Sequence, residues 1–344
     1  MEYEVTIGIP VYNIEKYIRR TIDSALAQTF GSIEFLILDD CGTDSSIDIV
    51  KEYQQTHPRG KDIRIISQPQ NGGLGRARNR IIEEAQGKYL FHLDADDAIA
   101  PNTIQLLYEN AKKYNAQIVY GSHIRVEQLN GHTKEIPVIY PSLQFLNENE
   151  WPSYVYRKYD QIQAMTWNFL IEIDIYRKNN LRHKPINFWE DVTFTLDLPT
   201  YITRAVLLPE ITYYYYCRPD SLSNYKSRKH IDKQEINTTA NAVEEIKAQT
   251  DRLRDKPYFE RRMYKLMVID FYIVCTVFRY QKIISPSFTK QELHDMMRTP
   301  LTLGEILHFR QARILNMILY SFWLLPPSLS VIAMRMTAII RRLI

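Results

Sequence analysis

Residues 89–99, YLFHLDADDAI, begin as an apolar strand and end in three carboxylates, Asp94, Asp96 and Asp97, within four positions. A strand that carries acids only at its exit belongs to a sheet with a dry interior and a ligand-facing rim. The same pattern repeats toward the N-terminus. VTIGIPVY (5–12) reads as a buried strand, EKYIRRTIDSALAQTF (15–30) as an amphipathic helix and IEFLILDD (33–40) as a second strand. SSIDIVKEYQQTH (45–57) reads as a helix, IRIISQ (63–68) as a strand, GLGRARNRIIEEAQG (73–87) as a helix and KYLFHLDADD (88–97) as a strand. This alternation predicts an α/β fold built on a parallel, doubly wound sheet with helices on both faces. Pro10, Tyr12 and Asn13 then leave the first strand, Asp39 and Asp40 the second, and Asp94, Asp96 and Asp97, with Ala95 between the first two, the fourth, all on one rim.

Beyond this run, NAQIVYGSHIRVE (115–127) supplies another strand or two, a helix is expected over 189–198, and AVLLPEITYYYYCR reads as a strand. From about 227 the pattern is helical, so the expected division is a first domain over 1–226 and a helical region over 227–344. No internal repeat or low-complexity tract is visible.

The 344 residues are ample for a large buried core. Forty-three Lys and Arg against forty Asp and Glu leave +3, a balance that calls for no nucleic-acid partner. Cys41, Cys217 and Cys275 lie far apart with no CxxC pair, and MEYEVTIGIPVYN enters a strand with no basic or apolar leader. Both features predict a cytoplasmic protein. The uncharged run ILNMILYSFWLLPPSLSVIAM (314–334) is bracketed by Arg310 and Arg313 before it and Arg335, Arg341 and Arg342 after it. Pro326 and Pro327 break it into two short pieces, so residues 310–344 are expected to lie as interfacial helices on an anionic leaflet rather than to cross it. The alternative is a helical hairpin packed on the protein's own core or on a second subunit of a homodimer.

Several residues at the rim carry chemistry. Asp94 and Asp96 form a DxD turn whose carboxylates suit Mg²⁺ or Mn²⁺, ions that often share their shell with phosphates. Asp39 or Asp40 would accept from a nucleobase imide N–H while Tyr12 offers a ring face, against the plainer reading of turn residues beside a capped helix. Gly73 opens a helix that carries Arg76 and Arg78, an arrangement suited to a diphosphate or merely to a tight turn; it is not a Walker loop. In NFWEDVTF, Glu190 and Asp191 follow Trp189, and a partly desolvated carboxylate there is a general-base candidate. Arg218, at the end of the tyrosine run, would reach phosphate oxygens, with the following Ser- and Asn-rich loop closing over it. The tyrosines themselves read as strand packing.

Taken in order, VTIGIPVYNIEKYIRRTIDSALAQTF, EFLILDDCGTDSS, NGGLGRARNRIIEEAQGKYLFHLDADD, MTWNFLIEIDIYRKNNL, FWEDVTF and YYYYCRPDSLS resemble the family 2 glycosyltransferases. The resemblance covers roughly residues 3–225. It implies a GT-A fold, here a doubly wound mixed sheet flanked by helices with a mainly helical C-terminal extension. It also implies inverting, metal-dependent transfer of a sugar from a nucleotide diphosphate donor, a UDP-sugar by preference, to a saccharide or lipid-linked acceptor. By position, Tyr12 and Asp40 would hold the base, Arg78 would assist the nucleotide pocket, Asp94 would lie near ribose and metal, and Asp96 would be the principal metal ligand. Asp191 matches the catalytic base, with Trp167, Asn168 and Trp189 on the acceptor side. Gly42 stands where the family usually has Ser, and Phe169 where many members have Lys. A non-catalytic binding protein of the same fold and, more distantly, a nucleotidyltransferase are the competing readings.

Overall fold

The computed structural model describes residues 3–129, 132–158, 165–186, 189–218 and 228–344. The chain divides into two compact units, Met1–Trp151 with Ala164–Leu222, and Pro152–Gln163 with Ser223–Ile344. The division expected near 226 falls outside the described residues.

In the first unit, β1 (Val5–Val11) and β2 (Ile33–Asp39) are buried almost throughout, as strands covered on both faces must be. They pair in parallel from Val5 opposite Ile33 to Val11 opposite Asp39. β3 (Ile63–Ser67) extends the sheet beyond β2, and β4 (Tyr89–His92) pairs in parallel with the other side of β1. The crossovers are α1 (Ile18–Leu26), α2 (Ser46–Thr56) and α3 (Leu74–Glu84). α1 buries Ile18, Ile22, Ala25 and Leu26 and α3 buries Ala77, Ile81 and Ile82, while α2 anchors through Val50.

The parallel pattern stops at β4. The short β5 (Ala98–Ile99) follows the acidic turn, and α4 (Thr103–Tyr114) leads to β6 (Ile118–Leu129). β7 (His132–Val138) folds back on β6, and β8 (Leu143–Phe145) precedes α5 (Glu150–Lys158). β9 (Phe169–Glu172) then inserts antiparallel to both β4 and β6, followed by α6 (Ile173–Lys178), α7 (Glu190–Asp197) and β10 (Ala205–Cys217). β10 runs parallel to β6 and antiparallel to β5 and β8. Among the described residues the sheet order is β3, β2, β1, β4, β9, β6, β10, β5. The wholly parallel sheet read from the alternation is thus corrected to a mixed one, as the family resemblance implies. The strand expected over 88–97 ends at His92, which leaves the acids in the turn rather than in the ladder.

In the second unit, α8 (Lys233–Ala248) and the long α9 (Phe259–Tyr280) form the centre, with Met263, Leu266, Met267 and Val274 of α9 buried. α10 (Lys290–Asp295) and α11 (Leu303–His308) each start from a Thr and Glu capping box. The uncharged C-terminal run is broken at its prolines into α12 (Arg313–Leu324) and α13 (Pro327–Ile340). Among the described residues no helix is long and apolar enough to cross a membrane.

Candidate active site

The rim of the first unit is organised by one arginine. Arg78, on α3, is 0% exposed. Its Nη1 donates to Glu190 Oε2 at 2.7 Å and to Asp191 Oδ1 at 2.6 Å, and its Nη2 to Asp94 Oδ1 at 2.9 Å. A planar fork reaches several carboxylates at once where a lysine could not. Burial opposes its charge, but the three acids together hold its pKa well above the ordinary arginine value.

Close packing places this hub. Gly73 starts α3 with φ 77°, a conformation that favours glycine. A Cβ at Gly75 would lie 2.5 Å from the carbonyl oxygen of Lys184, so the segment carrying Glu190 approaches α3 only because no side chain stands there. Asn79 exchanges two 2.8 Å hydrogen bonds with the backbone of His183. The buried His183 ring stacks on Phe194 with centroids 4.0 Å apart and meets Glu190 through Nδ1; burial and Arg78 push its pKa well down, which keeps it neutral. Trp189, at φ 56°, opens α7, so Glu190 and Asp191 occupy the first helical turn, where the helix dipole favours negative charge.

Asp191 differs from its neighbours in access. Its side chain keeps 30% exposure, against 6% for Glu190. Thr166 Oγ1 donates to its Oδ1 at 3.2 Å. Burial carries its pKa up to about 7, with Arg78 opposing and Glu190 adding to the rise. A carboxylate of that basicity, open on one side, is suited to take a proton near neutral pH.

The DxD turn is tied to β10. Tyr213 donates its hydroxyl to Asp97 Oδ2 at 2.8 Å and accepts from the Asp94 N–H at 3.2 Å, while the Tyr216 N–H donates to Asp97 Oδ1 at 2.8 Å. Asp97 therefore acts as a clamp, and burial beside Asp96 and Asp94 pushes its pKa well up. Arg218 Nε donates to Asp96 Oδ2 at 2.5 Å, with its guanidinium 5.0 Å from the Tyr17 ring. Arg20 donates to the Asp96 carbonyl and lies 3.4 Å over the Tyr216 ring. Desolvation raises the pKa of Asp94, which Arg78 opposes, and of Asp96, where Asp94 adds to the rise.

Around this turn Asp94, Asp96, Asp97, Glu190 and Asp191 outnumber Arg20, Arg78 and Arg218 by two. Asp94 Oδ2 and Asp96 Oδ1 remain outside the ion pairs described. Two hard oxygens in an acid-rich turn fit Mg²⁺ or Mn²⁺ completed by phosphate oxygens. Among the described residues no cluster of three or more His, Cys, Asp or Glu is arranged for a metal.

Other candidates fall elsewhere. Tyr12, 51% exposed, and Asn13 stand just past β1, and Asn13 Oδ1 accepts from the Thr43 N–H at 2.7 Å. Val11, Asn13, Asp39 and Gly42 line part of an open groove of about 210 Å³ at the ends of β1 and β2. Pro10 closes β1 opposite Leu38, and Ala95 is buried between the two acids. Asp40, expected to hold a base, is buried and accepts from Gln68 Nε2, Asn71 Nδ2 and the N–H groups of Gly72 and Gly73 at 2.6–3.1 Å. These bonds tie the glycine loop to the end of β2.

Arg78, expected beside the nucleotide, is likewise enclosed by carboxylates. Trp167 and Asn168, expected on the acceptor side, are core residues. Trp167 stacks on Tyr213 at 4.4 Å, and Asn168 bonds the Gly121 carbonyl at 2.6 Å and the Thr212 hydroxyl at 2.5 Å. Phe169 packs on Tyr120 in β9, a position where a lysine would have to bury its charge. The closing loop expected after Arg218 lies outside the described residues. Tyr213, Arg20 and His183 were missed; a hydroxyl within a tyrosine run at strand spacing carries no local sign of what it will touch.

The family model for glycosyl transferase family 2 matches residues 6–175. EpsJ, an uncharacterized glycosyltransferase of Bacillus subtilis, is 30% identical over 236 residues, 67% of each chain. The chondroitin synthase of Escherichia coli is 40% identical over 109 residues, 32% of this chain and 15% of that one. The crystal structure of Staphylococcus aureus TarS 1-349 in complex with UDP-GlcNAc superposes with a TM-score of 0.65 at 18% identity, covering 91% of this chain and 88% of that one. The chain belongs to glycosyl transferase family 2.

Proposed function

We propose that the protein transfers a sugar, with inversion, from a nucleotide diphosphate sugar, a UDP-sugar by preference, to a hydroxyl of a saccharide or lipid-linked saccharide at the cytoplasmic face of a membrane. The observation that carries the reading is Asp191, a solvent-reaching carboxylate of raised basicity joined through Arg78 to the DxD turn. The UDP-GlcNAc held by TarS favours uridine, and the polysaccharide synthase among the relatives favours a saccharide acceptor.

Tyr12 and Asp40, at the exits of β1 and β2, would receive the base, beside the groove that Asp39 lines. Asp94 and Asp96 would hold Mg²⁺ or Mn²⁺, which when bound neutralises charge on the departing diphosphate. Asp191 takes the proton of the acceptor hydroxyl as its oxygen bonds to the anomeric carbon and the bond to the diphosphate oxygen breaks on the opposite face. Arg218 can swing from Asp96 toward the diphosphate and stabilise the leaving charge. Arg78 does not touch substrate in this scheme; it keeps base and turn in register.

The test is binding and hydrolysis of UDP-, GDP- and dTDP-sugars with Mn²⁺ and with chelator, for wild type and Asp96→Ala. Metal-dependent use of one donor, lost in Asp96→Ala, is expected. Equal donor binding with and without metal, or no donor bound at all, would overturn the assignment.

A further inference from the structure

The second unit contains an open groove of about 640 Å³ lined by Arg261, His308, Arg310, Arg313, Ile314 and Leu315, among others. Among the described residues none of the three arginines pairs with a carboxylate, and the buried Nε of Arg261 has no hydrogen-bond partner. Glu260, which precedes Arg261 in sequence, is engaged by the N–H groups of Arg310 and Gln311. From Ile306 to Ile344 the sequence has no Asp or Glu at all. Guanidinium forks left without anions are suited to phosphate.

Beside the groove, α12 and α13 each bury one stripe, Asn316, Leu319 and Phe322 in one and Ser330, Met334 and Ala338 in the other. Their opposite stripes are apolar and open: Ile314, Met317, Ile318 and Leu324 on α12, and Leu329, Ile332, Met336, Ile339 and Ile340 on α13. The spacing of three and four puts each set on one helical face. Arg335, Arg341 and Arg342 are exposed among or just after them. An apolar face flanked by these arginines matches an anionic bilayer, whose acyl region and headgroups satisfy both parts.

We infer that the second unit docks on an anionic phospholipid surface, with a headgroup phosphate in the Arg261, Arg310 and Arg313 groove and the open stripes of α12 and α13 in the acyl boundary. This gives the proposed membrane location a chemical basis and does not depend on the transfer reaction.

Co-sedimentation of the full chain with vesicles of phosphatidylcholine alone, or of equal parts phosphatidylcholine and phosphatidylglycerol, tests it. Strong binding only to the mixed vesicles is expected. Arg310→Gln with Arg313→Gln should lower that partition about 25-fold, at roughly fivefold per arginine near the surface, while the paired Lys substitutions retain most of it. Ile332→Ser with Met336→Ser should abolish it without changing the thermal melt. Equal binding to neutral vesicles, or binding to neither, overturns the inference. So does inorganic phosphate that binds wild type in the absence of vesicle binding, which would make the groove a soluble-anion site. A dimer in vesicle-free buffer that Ile332→Ser with Met336→Ser dissociates would assign the face to a second copy instead.

Discussion

Arg78 in the first unit and Arg310 with Arg313 in the second are the same side chain in opposite circumstances. Arg78 is sealed from water and shared by three carboxylates, whereas the other two are exposed and pair with no acid among the described residues. A buried guanidinium of the first kind holds a structure in register, because removing it strands several charges in a poor solvent. Guanidiniums of the second kind cost the fold little and stay available to something outside it. Positive charge alone therefore does not mark a ligand site. What marks it is charge without an internal partner.

That contrast can be broken in four places. Asp191→Asn keeps the shape of the Arg78 cluster but removes the proton acceptor; kcat should fall about 10²- to 10⁴-fold while donor affinity holds. Unchanged kcat in single-turnover assays would detach the arginine hub from catalysis. In wild type, kcat should rise about tenfold per pH unit up to about 7 and level off above it, since the base must be ionised. The linkage to folding has the opposite sense. The native carboxyl holds its proton more tightly than the unfolded chain does, so this group's contribution to stability declines as pH rises from about 4 to 7. Asp191→Asn should flatten that decline in pH-dependent melts.

Arg78→Met should cost about 3–5 kcal/mol in denaturant unfolding, with only partial rescue by Arg78→Lys, because it leaves buried acids uncompensated. A loss below 1 kcal/mol would put Arg78 in the same class as the C-terminal arginines. Tyr213→Phe removes the hydroxyl between Asp94 and Asp97 and should cost about 1–3 kcal/mol, together with a rise in the metal concentration needed for half-maximal rate. At the small end, Arg310→Gln with Arg313→Gln should change folding stability by no more than about 0.5 kcal/mol. A larger loss in thermal melts would show that these residues support the fold after all.

The first four strands and three helices were legible in the sequence because their signals are local, long apolar runs that alternate with amphipathic ones. Their common rim followed from parallel winding, which placed Tyr12, Asp39, Asp94 and Asp96 correctly at strand exits. β9 was not read as a strand: four residues, FLIE, carry little periodicity, and its partners β4 and β6 lie far off in sequence. The site was legible in its residue types but not in its pairings. Nothing near Arg78 announces Glu190, 112 positions away, and nothing near Asp40 announces that its carboxylate will tie down Gly72 and Gly73. Asn168 beside Trp167 looks equally like a ligand contact or a core pin, and only the third dimension separates the two.

The suspension of the acidic turn from β10 also bears on how the protein is made. Asp94 and Asp97 are held by Tyr213 and Tyr216, Ala98 and Ile99 pair with Tyr214 and Tyr213, and Asp96 is met by Arg218. Each of these contacts closes a span of more than a hundred residues, a late and entropically costly event in folding. During synthesis the β1 to β4 layer can collapse while the ribosome is still translating the second half of the gene, yet its acidic turn has no template until β10 emerges. A nascent or truncated chain ending before Ala205 would thus present a partly formed sheet with an unfinished acidic turn, and competence would arrive abruptly, with β10, rather than accumulate along the chain.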